Sequence, residues 1–329
     1  MKIGLTYDLR SDYLAEGYSL LETAEFDREE TIEALENCLQ HLGHQTDRIG
    51  NARALIERLA HGARWDIVFN IAEGLRGIGR EAQVPAILDI YEIPYTFSDP
   101  LVMSLTLHKG LTKRVIRDAG IPTADFFVFE GTLRKGDISF APPFFIKPVA
   151  EGTGKGITPD SIIRRMEVLV PACEKMLAAH DQPVLIERYL TGREFTVGIT
   201  GTGPEAVVVG TMEVHLLPEA EQGVYSYANK ENCEELVKYI ISNSTEEPVV
   251  KRCEDVAINA WRTLGCRDGG RIDIRCDDDE NPYFLEVNPL AGLHPDHSDL
   301  PIISKGVGLD YQALIERLLA SASKRIKKK

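Results

Sequence analysis

Four residues near the C-terminal end of the chain have the types and the spacing to hold a metal ion and face a developing negative charge. They lie in the stretch Gly269–Gly292, GGRIDIRCDDDENPYFLEVNPLAG. Ile272, Ile274 and Cys276 alternate with Arg271, Asp273 and Arg275, the period-2 pattern of a strand. After the acidic turn DDDENP, the run YFLEVN reads as a second strand, with Glu286 and Asn288 two residues apart on one face. Paired as a hairpin, these strands bring Asp273 towards Glu286 and Asn288. Two carboxylates and an amide oxygen are hard donors that suit Mg²⁺, which keeps substrate phosphates in its shell. Arg271 points to the same side as Asp273 and sets a fixed cation beside that ion. The plain alternative is an exposed acidic hairpin with solvated charges.

Lys147 lies among apolar neighbours in FFIKPV, where an ammonium is costly unless it meets a counter-charge. The glycine-rich loop Glu151–Gly156 comes next. Its small residues let backbone N–H groups approach an anion, and Thr153 adds a hydroxyl. The spacing is that of neither a P-loop nor GxGxxG, which argues against a nicotinamide cofactor. The alternative is a flexible surface hairpin with a snorkelling lysine. Glu187 and Glu194 flank a break between two strands; a carboxylate there can accept from ribose hydroxyls, and the strand edge Arg188–Leu190 offers backbone groups to adenine. For any single such pair, two exposed glutamates are the commoner case. Lys109 in SLTLHK and Lys230 in YSYANK read alone as surface lysines. His294, His297 and Asp296 could suggest a transition metal, but a Pro-bearing loop with no fourth ligand weighs against one.

The elements that must position these groups begin with strand Lys2–Asp8 and a polar loop, Leu9–Phe26. Asp27 then reads as an N-cap, with Glu30 three residues on. Strand Thr46–Ile49, a helix capped by Asn51, strand Asp66–Ile71 and helix Glu81–Ile90 complete an alternating pattern. Such alternation predicts an open parallel α/β layer, with ligands at the carboxyl ends of strands. Those ends are the loops after Asp8 and after Ile71, the latter AEGLRGIGRE. YTFSDP is a turn-rich boundary. Helix Leu101–Ala119, strands Asp125–Phe129 and Phe144–Val149, and helix Asp160–His180 form a second, smaller unit. Beyond it lie strands Pro183–Tyr189, Phe195–Thr200 and Ala206–His215, an irregular stretch Leu216–Asn232, helix Glu247–Leu264, the hairpin and helix Tyr311–Ala320. The expected class is α/β, becoming α+β in the C-terminal part, in units 1–98, 99–182 and 183–329.

A chain of 329 residues fits two or three domains. Its net charge of -14 argues against wholesale binding of a nucleic-acid backbone. There is no long apolar run, so no membrane span is expected. Met1 leads straight into a strand, so no signal peptide is expected. The six cysteines are scattered, with no CxxC pair, which points to a reducing cytoplasm rather than to disulfides or zinc. The basic tail KRIKKK reads as a frayed, solvated end.

Taken together, these segments resemble the ATP-grasp ligases, and most closely the D-alanine–D-alanine ligase family. The likeness covers most of the chain and is strongest over its last two-thirds. It implies an ATP-grasp fold behind an N-terminal preATP-grasp domain. SLTLHKGLTK looks like the segment ending in a nucleotide-contacting lysine, Lys109. FFIKPVAEGTGKGI looks like the strand lysine and phosphate-covering loop, so Lys147, Glu151, Gly152 and Gly154 would meet ATP, with Thr153 as a catalytic hydroxyl. VLIERYLTGREFTV matches the adenine and ribose motif. By that match Glu187, Arg188 and Leu190 lie against adenine, and Glu194 binds ribose. GRID and FLEVN resemble the metal and oxyanion hairpin. Asp273, Glu286 and Asn288 would hold two Mg²⁺, for which Mn²⁺ could substitute; Leu285 would face the nucleotide; and Arg271 with the Gly292 N–H would face the oxyanion. YSYANK resembles the mobile loop that carries Lys230 to the transferred phosphate. HSDLP resembles the carboxylate-binding segment, with Ser298 as donor. The substrate acid lies in TAEFDREE, which leaves Glu25, Asp27 and Glu29 open, with Glu25 taken first.

The resemblance implies ADP-forming ligation of a carboxylate to an amine through an acyl phosphate. Lys109, Lys147 and Lys230 would offset phosphate charge, and the glycine-rich and Leu216–Asn232 loops would close as lids. It also implies amino-acid-like substrates, a place in peptidoglycan building and, as is frequent in the family, a homodimer. Several positions depart from the family pattern: Thr153 replaces a serine, Glu231 replaces a tyrosine, YDLRSDYLAEGY lacks a Gly-Gly turn, and PLAGLHPDHSDLP is one residue longer. They fall where substrate would touch. A ligase for another amino acid or peptide is therefore the first alternative. A non-catalytic ATP-binding protein is the second, against which Arg271, Asp273, Glu286 and Asn288 speak.

Overall fold

Three sheets organise the chain, which the computed structural model describes over residues 1–327. Lys328 and Lys329 of the basic tail lie outside the described residues. The first sheet is parallel, in the order β2-β1-β3, from β1 (Lys2–Thr6), β2 (Gln45–Gly50) and β3 (Ile67–Asn70). One face packs Ile3 and Leu5 against Ile32, Leu35 and Leu39 of helix Glu29–His41. The same core takes Leu314, Ile315 and Leu318 from the last helix, Tyr311–Ser323. The chain's end thus closes the core of its beginning. Arg325, in the tail expected to be frayed, pairs with the fully buried Asp268 at 2.5 Å; a buried carboxylate needs that cation.

Asn51 caps its helix as expected, accepting from the N–H groups of Arg53 and Ala54. Asp27 does not cap. Its backbone is bridged to Leu9, so the helix starts at Glu29 behind Arg28. The segment expected as a loop holds a short helix, Arg10–Ala15. Leu101–Ala119 is not one helix but two, Pro100–Leu107 and Lys109–Asp118. The break at His108 arises because the Lys109 N–H donates to Val149 O at 2.9 Å instead of continuing the ladder, while the His108 ring caps Leu111 N. That break turns Lys109 towards the second sheet.

The second sheet is antiparallel, in the order β4-β7-β5-β6, from β4 (Phe126–Phe129), β5 (Phe144–Pro148), β6 (Ile162–Ile163) and β7 (Val184–Arg188). β7, grouped by sequence with the C-terminal unit, hydrogen-bonds between β4 and β5. The expected helix Asp160–His180 begins only at Leu169. Ile162 and Ile163 pair with β5 first, and Pro171 sits in the helix's first turn, where its missing N–H costs nothing.

The third sheet runs β10-β9-β8-β11-β12, all antiparallel, from β8 (Glu194–Thr200), β9 (Val207–Leu216), β10 (Val237–Ser242), β11 (Gly269–Cys276) and β12 (Pro282–Asn288). Helix Pro248–Leu264 buries Val250, Cys253, Ala257, Trp261 and Leu264 on this sheet and ends at Gly265, whose φ of 75° a side-chain-bearing residue seldom adopts. Elements of this part not foreseen in the sequence include β10, the helix Asp299–Gly306, and a short helix Tyr227–Glu231 inside the stretch read as irregular.

Candidate active site

The β11–β12 hairpin forms as its alternation predicts. Asp273 stands opposite Glu286, and Arg271 opposite Asn288. Alternation leaves Ile272, Ile274 and Cys276 fully buried and turns the polar set the other way. Asn288 Nδ2 lies 3.4 Å from Asp273 Oδ2, and the Thr196 hydroxyl donates to Asp273 Oδ1 at 2.9 Å. Arg271 sits between Asp299 at 3.1 Å and Asp273 at 3.7 Å. Burial, with repulsion from Glu286, raises Asp273 to about 6 despite the pull of Arg271. Burial would raise Glu286 too, but Lys109, Lys147, Lys230 and Arg271 outweigh it and hold it far below the carboxylate range.

A row of alternating charges crosses from the second sheet to the third. Lys113 meets Glu187 at 2.5 Å, Glu187 meets Lys147 at 3.1 Å, Lys147 meets Glu286 at 3.4 Å, and Glu286 meets Lys109 at 3.8 Å. Lys147 therefore has the counter-charges its apolar strand demands, and Glu187 and Glu286 raise it against the effect of burial. Glu187 is spent on two lysines, so it is not an exposed glutamate. Lys109 also donates to Glu151 O at 2.5 Å. Lys113 went unnoticed in the sequence. The available signal was its place four residues after Lys109, which sets both on one helix face.

Arg188, Leu190, Glu194 and Leu285 line a cavity of about 80 Å³ together with Lys147 and Glu187. Glu194 is held by Arg275 at 3.1 Å, and the Arg275 guanidinium lies 5.3 Å from the Tyr189 ring centroid. Lys109, Glu151, Lys230 and Glu286 border both this cavity and a larger one of about 550 Å³. The larger one also reaches Arg271, Asn288, Gly292 and Ser298. Ser298 Oγ accepts from His294 N at 3.0 Å, and a Cβ at Gly292 would come 2.8 Å from it. The glycine-rich loop lies over the junction. Gly154 and Gly156 hold φ of 74° and 77°, and a Cβ at Gly154 would meet Tyr227 N at 2.8 Å. The buried Thr153 hydroxyl has no hydrogen-bond partner among the described residues, as expected of a group kept for a ligand. Lys230 lies 4.6 Å from the Tyr225 ring centroid at the cavity edge.

Two hard carboxylates facing each other across the hairpin, with the Asn288 amide beside them, fit a divalent cation. Among the described residues no group of three His, Cys, Asp or Glu gathers. The His294 and His297 rings lie 4.5 Å apart, tilted by 45°, and Asp296 turns to Lys305.

Of the three open acids, Glu25 and Asp27 line the larger cavity. Glu29 faces away, towards Arg48. Glu25 is paired with Arg80 at 2.7 Å. Sequence reasoning missed Arg80, Glu73 and Glu81 individually, although the AEGLRGIGRE loop reads as a ligand site. Burial pushes Glu81 up to about 7 and, with repulsion from Glu81 and Glu25, raises Glu73. Burial and the nearby Asp8 raise Asp27 to about 7. The folded state then holds the Asp27 proton more tightly than the unfolded chain does, so stability falls as pH rises from about 4 through about 7. Asp27→Asn is expected to gain stability at pH 8, by upwards of ~1 kcal/mol, and little at pH 4, in denaturant titrations at the two pH values.

Comparison with known proteins bears on the family and the fold. The family model of the D-ala D-ala ligase C-terminus matches residues 115–320. A D-alanine–D-alanine ligase of Bordetella petrii is 32% identical over 276 residues, covering 83% of this chain and 80% of that one. The protein y4sG of Sinorhizobium fredii is 30% identical, over 87% and 85%. Among solved structures, the D-alanine–D-alanine ligase of Bacillus anthracis complexed with ATP superposes with a TM-score of 0.74 at 20% identity, covering 98% of each chain. The VanG D-Ala:D-Ser ligase of Enterococcus faecalis gives 0.74 at 20% identity, over 98% and 99%. The fold is that of an ATP-grasp protein. The chain belongs to the D-alanine–D-alanine ligase family.

Proposed function

We propose that this chain is an ATP-dependent, ADP-forming ligase that joins a carboxylate to an amine, D-alanine–D-alanine ligase-like in its substrates. The observation that carries this reading is the row of charges from Glu187 to Lys109, which borders both cavities, with Arg271 lining the larger one. Adenine would lie in the smaller cavity against Arg188, Leu190 and Leu285, with ribose on Glu194. Lys109, Lys147 and Thr153 would hold phosphates whose charge must be neutralised before an anionic carboxylate can approach the γ-phosphorus. Oxygen of the donor carboxylate attacks that phosphorus, and ADP leaves. The amine then attacks the acyl carbon, its proton is lost, and phosphate departs. Arg271 and the Gly292 N–H face the oxyanion of that second step. Asp273, Glu286 and Asn288 would hold magnesium, which supplies further neutralisation on the phosphates.

ADP release from ATP with magnesium and D-alanine, then with a panel of D- and L-amino acids and dipeptides, tests the reading. Turnover with D-alanine alone supports the cell-wall substrate. Turnover only with another amine supports the second reading, a different acceptor, which the pairing of Glu25 with Arg80 favours. No ADP release with any acceptor overturns both. Glu286→Gln is expected to abolish most turnover and raise the magnesium concentration needed for half-activity while the fold survives; near-normal metal dependence would remove the ligand assignment.

We also read the chain as three working units, 1–98, 99–182 and 183–329, with β7 lending the second sheet a strand from the third. Homodimerisation is proposed on the family resemblance, and sedimentation would test it. The free state of the six cysteines is in keeping with a reducing cytoplasm, and no helix of the described residues is long and apolar enough to cross a membrane.

A further inference from the structure

One buried ion pair reaches from the first unit to the root of the glycine-rich loop. Arg80 and Glu25 are 7% and 8% exposed in their side chains. Arg80 Nη2 donates to Glu25 Oε2 at 2.7 Å, and Arg80 Nη1 donates to Ala150 O at 2.9 Å. The other oxygen of Glu25 accepts from Gly152 N at 2.5 Å. A Cβ at Gly152 would come 2.6 Å from that same oxygen, so the approach needs glycine. Gln182 accepts from Ala150 N at 2.7 Å, and Lys109 takes Glu151 O. The polar backbone atoms at the loop's root are thus gripped from outside the loop, and two of the grips come from the first unit.

We infer that Arg80 is a positioning residue, which through Glu25 and Ala150 O clamps the root of the glycine-rich loop to the first unit and so couples closure over the phosphates to the acceptor side of the site. Glu25 cannot do this alone. It lines the cavity with Asp27, Glu73 and Glu81, and a buried carboxylate in that company needs a cation. Burial pushes Glu25 up, but Arg80 and Lys155 outweigh it and keep its carboxyl below the ordinary value. The planar guanidinium serves two acceptors at once, which an ammonium cannot match.

The inference rests on reading this loop as the phosphate cover, and its test does not need turnover. Lys155, inside the loop, is a trypsin site; Lys251, within helix Pro248–Leu264, reports global unfolding. Full-length Arg80→Met, Glu25→Gln and the double variant would be digested alongside the parent chain. Cleavage after Lys155 is expected to quicken about ten- to a hundredfold in each single variant, as for a lost charge-assisted contact, and no further in the double variant. Cleavage after Lys251 should stay unchanged. In turnover assays the KM for ATP should rise more than kcat falls. Should Arg80→Met fail to fold, Arg80→Lys, which keeps the charge and loses one acceptor, should give an intermediate rate at Lys155. An unchanged rate at Lys155, additive effects, or equal acceleration at Lys251 would overturn the clamp. A parent chain that shows the clamp but releases no ADP would instead overturn only the ligase reading.

Discussion

Arg271→Met is expected to lower kcat about 10²- to 10³-fold while ATP binding is largely kept. The reason lies in where the guanidinium sits. It is held between Asp299 and Asp273, lines the larger cavity and takes no part in the smaller, nucleotide-side one. On the proposed reading its charge would be aimed at the acyl centre, where an oxyanion forms only as the amine adds. A donor that acts only in the transition state costs turnover rather than binding when it is lost. Arg271→Lys should recover part of the rate, because it restores charge without the planar fork. Steady-state kinetics with a fluorescent nucleotide titration would check both. Loss of ATP affinity to the same degree as kcat would place Arg271 on the nucleotide instead.

The second large effect concerns stability. Lys113→Met is expected to destabilise the protein by about 3–5 kcal/mol, read as a lower denaturant midpoint. Lys113 is fully buried. Its ammonium meets Glu187 at 2.5 Å, the Thr123 hydroxyl at 2.7 Å and Phe284 O at 3.1 Å. One lysine thus ties the helix Lys109–Asp118 to β7 in the second sheet and to β12 in the third. Methionine keeps the volume but strands a carbonyl and half of a carboxylate's compensation. Lys147 still faces Glu187, which places the effect near the lower end of that range. Lys113→Met combined with Glu187→Met should recover stability over the single change, because the uncompensated charge is then gone. A double variant less stable than Lys113→Met would show that Glu187 matters for Lys147 more than for Lys113.

What was legible in the sequence is local. The β11–β12 hairpin and its alternation follow from a period of two and an acidic turn, but the facing of Asp273 and Glu286 also needs a bulge between Asp273 and Ile274 that spacing does not show: Ile274 stands opposite Phe284, and Leu285 is skipped. The Asn51 cap and the parallel first sheet are equally local, set by side-chain hydrogen bonding and by strand–helix alternation. Lys147 stands out because a charge on an apolar strand is conspicuous by itself, whereas Lys109, Lys230, Glu187 and Glu194 are assigned to the site only through the family resemblance. Which of them pair is not a local property. Lys113 reads as one more helix-surface lysine until β7 and β12 close over it. Glu25, Asp27 and Glu29 sit within five residues, and only the meeting of the first unit with the glycine-rich loop turns Glu25 to Arg80 while Glu29 looks outwards. The break at His108, the entry of β7 into the second sheet and the closing of the first core by the last helix have the same cause. Each is settled by a partner distant in the chain, where a hydrogen bond or a buried charge must be satisfied, and local spacing carries no trace of that partner.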